Sequence, residues 1–391
     1  MASAIQAGAQ RSAWLGTLGV SGPPLEALAS YDDRLLGEVD GPWRVPLDDE
    51  PFVATWRELL TEAESEGPWA VLSRHLRPLA FPIRAGISET AGYRRVVRRG
   101  LPATDEPTAE GLRLRRPDAI ELTLHASLAG TLPVITVPDR QDFVQLVQAL
   151  AKRNEPVDVS PSQGASMVAG LVNWRRFGAL RTAWWSQPPE ERPTKTWRQE
   201  VVRLEQHKEL YLDRFMLLSV GPYAAVSGDC LGLDPGFWRS RSWVVRCEHE
   251  CTHYWTRRVF GTMRNHLLDE LLADYNGLTA ALGRFRADVF LRCLGFDSDG
   301  CYRPGSRLDL YRDDLPRAAD PALHRLVTNA AHHVEHFDRR VWPDEDERSV
   351  EQRARALHTL AGLRLSELAG PEAVDRLLER WARCTTDERD P

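Results

Sequence analysis

The string His249-Glu250-Cys251-Thr252-His253 sets two imidazoles four residues apart with a carboxylate next to the first. On a helix, residues four apart share a face, so His249 and His253 converge on a single metal ion while Glu250 is aimed at a metal-bound water. Zinc in a catalytic site takes three protein ligands and leaves its fourth position to water. The third ligand has a candidate further on, in Asp269-Glu270-Leu271-Leu272-Ala273-Asp274. Glu270 supplies the carboxylate. Asp274, one helical turn later, is placed to accept the free ring N–H of a ligating histidine, fixing its tautomer and raising its basicity.

These roles require two antiparallel helices. The first carries the histidines and ends near Phe260, residues 261–266 form the turn, and the second begins at Leu267 and brings Glu270 back towards the histidines. Glu248 lies elsewhere on the first helix and is expected at the surface or in an ion pair. Cys247 and Cys251 are read as core thiols.

The pairing of HExxH with a downstream ExxxD resembles the gluzincin metallopeptidases of the thermolysin type, over residues 249–274. The resemblance implies His249, His253 and Glu270 as ligands of one zinc ion, Glu250 as general base and Asp274 as the orienting carboxylate. It also implies hydrolysis of an amide, with peptide the foremost substrate class. The phrases EHECTHYWTRR, NHLLDELLADYNGL and NEPVDVSPSQGASMV are similar to those of an uncharacterised bacterial protein family, which extends the resemblance over about half of the chain. That adds no activity.

Other chemistries stay open at this stage. The same two histidines and one carboxylate also suit Fe(II) or Mn(II). A tailoring enzyme of small-molecule metabolism could use the same site on another bond, and a regulatory protein could keep the metal for structure alone. No residue stands out as the oxyanion donor; Tyr254, His266, Tyr302, Tyr311, His332, His333 and His336 are the candidates. His332 and His336 have ligand spacing too, but the apolar stripe Leu323, Val327, Ala330, Val334 and Phe337 turns them outward, so exposure is expected.

Composition narrows the field. The 391 residues are 42% hydrophobic and 27% charged, which suits a globular chain with a large core. A formal charge of −6 offers no positive field for nucleic acid or an acidic membrane. No stretch approaches the length of a membrane span, and Met1 to Gly19 lacks a signal-peptide pattern, so a cytoplasmic protein is expected. The six cysteines show no CxxC pair and are read as free thiols.

The fold class expected is α+β. A mixed N-terminal region, 1–190, holds a short sheet, and a mainly helical metal-binding region, 191–391, follows. The boundary is placed in the Pro- and charge-rich stretch Gln187 to Thr196. Residues 119–125 alternate and residues 132–137 form a second β-rich run, so two strands are expected, and Asp139 caps a helix reaching about Arg153. A loop over Asn154 to Trp174 offers Asn173 as a donor to a substrate backbone. Trp197 to Leu218 has a helical composition, and later helices are expected over 321–341, 349–368 and 371–382. Residues 1–118 carry no recognisable motif.

Overall fold

The computed structural model describes residues 2–32, 44–102, 111–261, 267–344 and 347–384, with the side chains of 2–7 excepted. The fold is α+β, with one small mixed sheet and a mainly helical C-terminal part. Two compact units divide it: 48–221, and 1–47 together with 222–391. Helices α1 (Ala2–Gly16) and α2 (Pro23–Asp32) belong to the second of these.

Unit 48–221 opens with α3 (Phe52–Glu66) and α4 (Pro68–His75), then builds its sheet. Strand β1 (Glu121–Ser127) turns through Leu128-Ala129 into β2 (Gly130–Val137), Gly130 taking φ +84° at the corner. Helix α5 (Arg140–Ala151) follows, and the Asp139 carboxylate accepts from the N–H groups of Gln141 and Asp142, the cap its sequence predicts. Strand β3 (Ala165–Val172), α6 (Trp174–Ser186), α7 (Trp197–Leu204) and β4 (Leu212–Ser219) complete the unit. The strand order is β1-β2-β4-β3, with β2 and β4 parallel and both edges antiparallel.

Two expectations are corrected here. Trp197 to Leu218 is not one helix: it ends at Leu204, and Phe215 to Leu218 lie fully buried in a central strand. A continuous apolar run of that length fits a strand covered on both faces as well as a helix, and only its neighbours decide. For the same reason the chain does not leave this unit at 187–196, which joins α6 to α7, because β4 has still to fill the sheet.

The other unit is helical: α8 (Pro235–Phe260), α9 (Leu267–Leu282), α10 (Ala287–Leu294), α11 (Asp320–Val341), α12 (Val350–Ala361), α13 (Leu365–Ala369) and α14 (Ala373–Arg383). Asp234 caps α8 by accepting from the Phe237 N–H, Pro235 sits in the first turn, and Gly261 ends the helix at φ +68°. Gly277 lets α8 and α9 come together closely, since a Cβ there would stand 2.7 Å from the Val245 carbonyl oxygen. That close approach sets the register of the helix pair.

Buried polar links brace the pair from behind. The Arg353 guanidinium of α12 meets Glu248 at 2.8 Å, and Asn276 donates to the same carboxylate at 3.2 Å, so Glu248 is a buried ion-pair partner and not a surface residue. Arg348 and Tyr275 both donate to Asp338. The N-terminal helices are tied in as well: Ser366 donates to Asp32 through N–H and hydroxyl, and Arg325 to the Leu18 carbonyl. The stripe on α11 is buried as expected; His332 and His336 are exposed, and His333 bonds the Leu368 carbonyl. All six cysteines are free thiols, with Cys247 and Cys251 fully buried. Among the described residues no helix is long and apolar enough to cross a membrane.

Candidate metal centre

The helix pair brings together the residues that the spacing selected. His249 and His253 on α8 face Glu270 on α9, and the three are close enough to hold a metal ion. The His249 and His253 Nε2 atoms stand 3.0 Å apart. Glu270 places Oε1 at 3.3 Å from His253 Nε2 and Oε2 at 3.5 Å from His249 Nε2. Tetrahedral zinc bonds of about 2.0–2.1 Å separate ligand atoms by about 3.3 Å, and these separations are of that size.

The opposite edge of each imidazole shows why a cation fits. His249 Nδ1 meets Asp274 Oδ1 at 2.8 Å and His253 Nδ1 meets Asp269 Oδ2 at 2.9 Å. A proton on each Nδ1, donated to its carboxylate, leaves both Nε2 lone pairs pointing at each other and at Glu270. Lone pairs converging in a buried place call for a cation between them.

Charge gives the same answer. Asp269, Glu270 and Asp274 are buried carboxylates, and Arg307 bonds two of them, NH1 meeting Asp274 Oδ2 at 2.7 Å and NH2 meeting Glu270 Oε2 at 2.8 Å. With both imidazoles neutral, as metal ligands have to be, the three carboxylates exceed the positive charge that Arg307 supplies, a balance that favours a divalent ion.

Tyr223 closes the network. Its hydroxyl donates to Asp274 Oδ1 in a short bond and lies 3.1 Å from His249 Nδ1. The two residues after it, Ala224 and Ala225, take φ +50° and +59°. Left-handed backbone costs an alanine roughly 1–2 kcal/mol, which the buried contacts of Tyr223 offset. The Tyr223 N–H is in turn held by the Ser242 hydroxyl at 2.9 Å.

Burial alone would raise the Glu270 carboxyl, but His253, His249 and Arg307 outweigh it and hold the group well below the ordinary range. Asp274 is treated alike: burial pushes it up, and Arg307 and His249 bring it down. For His253 burial favours the neutral ring, yet Asp269 and Glu270 reverse this and raise it well above the usual histidine value. A metal ion therefore has to displace a proton from His253. The expected result is an apparent metal affinity that falls about tenfold for each pH unit below the raised histidine value, measurable by competition titration with a chromophoric chelator. An affinity flat between neutral and mildly acidic pH would show that no proton is released.

Glu250, adjacent to His249 in the sequence, is half-exposed. Other sequence candidates are engaged by partners of their own. The Asn173 side chain caps α6 and donates to Asp213, so it is committed within its own unit. Tyr302 bonds the Ser306 carbonyl, and the Tyr311 hydroxyl accepts from Arg307. His266 lies outside the described residues. Asp269, Tyr223 and Arg307 were not picked out beforehand; only Asp269, adjacent to Glu270, had a local signal, because a second histidine ligand also needs a carboxylate behind it.

The sequence matches a family of unknown function (DUF7005) over residues 14–372. Neither a curated protein nor a solved structure matches it.

Proposed function

The chain belongs to this family of unknown function, so its activity has to follow from its own site, and we propose a zinc-dependent hydrolase that cleaves an amide bond, foremost a peptidase of narrow specificity. The observation that carries the proposal is the convergence of His249 Nε2, His253 Nε2 and the Glu270 carboxylate, with Glu250, adjacent to His249 in the sequence, half-exposed. Two histidines and a glutamate are a donor set of catalytic zinc. Among the described residues the cluster has three ligands, which favours a catalytic over a closed structural site.

A zinc ion bound by this set supplies Lewis acidity, acidifying water and polarising a carbonyl. The residues do the rest. Asp274 and Asp269 hold the two imidazoles in the tautomer that presents Nε2. Glu250 takes the proton from the attacking water on its carboxylate and passes it to the nitrogen of the departing amine.

The test is incubation of purified protein with peptide and acyl-amide libraries in ¹⁸O-water. One heavy oxygen in each newly formed carboxylate, abolished by a chelator and restored by zinc, is expected. A metal-loaded protein that cleaves no amide in either library would contradict the proposal.

A further inference from the structure

Both oxygens of Glu270 lie at ligand distance from a histidine nitrogen, so a free carboxylate in this position would clasp an ion with both. It is not free. Oε2 accepts from Arg307 NH2 in a charge-assisted bond almost out of contact with water, the two side chains being 4% and 10% exposed. Arg307 has no freedom to swing away. NH1 and NH2 both bond Asp274, Nε donates to the Tyr311 hydroxyl at 2.9 Å, and the rings of Tyr223 and Tyr311 lie 5.2 and 5.5 Å from the guanidinium carbon. The backbone beneath it is fixed too: Arg307 heads the short 3₁₀ turn Arg307–Leu310, and the Tyr311 carbonyl accepts from the Tyr31 hydroxyl at 2.8 Å.

We infer that Arg307 is a positioning residue that restricts Glu270 to ligation through Oε1 alone, keeping a coordination place for water instead of a second carboxylate oxygen. The inference rests on the metal site proposed above. It assigns Arg307 a role that the ligand set does not contain, since loss of the guanidinium would leave the three ligands in place and change how one of them binds.

Cobalt(II) tests this, because it takes the same donors and its visible absorption is several-fold stronger in four-coordinate than in five- or six-coordinate sites. The wild type loaded with one equivalent of cobalt is expected to show the strong band. Arg307→Gln is expected to bind cobalt with a band several-fold weaker, as Oε2 turns to the metal. Tyr223→Phe, which removes a bond to Asp274 and leaves Glu270 alone, is expected to keep the strong band. A weak band in wild type overturns the inference by itself, even if Arg307→Gln does not fold. So does a strong band retained in Arg307→Gln, or an equal loss in Tyr223→Phe, which would mean general loosening. Stoichiometric cobalt with a weak band sinks only this inference; no cobalt bound at all sinks the metal site with it.

Discussion

Glu250→Gln is expected to keep its metal ion and to lose about a hundred- to ten-thousandfold of its hydrolytic turnover. The amide has the size and shape of the carboxylate and still reaches the same place beside His249, but it cannot accept the proton of the attacking water. Because Glu250 is not among the three converging ligands, metal content stays unchanged, which separates loss of the base from loss of the site. Turnover and metal content are measured on the same preparation, with the best substrate from the library screen. Turnover within a fewfold of wild type would remove Glu250 from the mechanism.

The second large effect is on the scaffold. Asp274 is fully buried and accepts from His249, Tyr223 and both terminal nitrogens of Arg307. Asp274→Ala takes the partner from a buried guanidinium, a buried hydroxyl and a ligating imidazole at once. Removing one member of a buried ion pair costs about 3–5 kcal/mol, and loss of a carboxylate behind a metal-bound histidine weakens metal binding by about 10–100-fold. Denaturant unfolding and chelator competition read the two separately. The Asp274 carboxyl is held below the ordinary aspartate value in the folded protein, so its contribution is present at neutral pH and lost only as pH falls through that depressed value. Stability within about 1 kcal/mol of wild type, with unchanged metal affinity, would mean that Asp274 is a spectator.

The parts of the site legible in the sequence are those that follow from a helical turn. His249 and His253, and Glu270 and Asp274, are each four apart, and only a few residues separate the two helices in the sequence. The parts that were not legible arrive from a distance. Arg307 lies 37 residues from Glu270 and Tyr223 lies 51 from Asp274, and no periodicity links positions across such gaps. Charge is a partial exception: Asp269, Glu270 and Asp274 gathered around two histidines already ask for a cation, although not for a particular arginine.

The fold divides along the same line. The strands β1 and β2 and the Asp139-capped helix depend on local strand-forming patterns and local capping, and the structure has two strands and a capped helix there, with the pairing of the strands added by the fold. Strand β4 depends on what covers it. Its run Phe215-Met216-Leu217-Leu218 is short, apolar and flanked by helical composition, so the sheet and not the segment decides its form. The N-terminal helices show the limit most clearly, because Asp32 finds its partner Ser366 at a separation of 334 residues.

The most direct test of the metal centre is elemental analysis of purified wild type, His253→Ala and Glu270→Ala, each checked for folding by circular dichroism. About one zinc ion per wild-type chain, lost from both variants, is the predicted result. A wild-type chain that binds no metal, or variants that retain it fully, would contradict the assignment of His249, His253 and Glu270 as ligands.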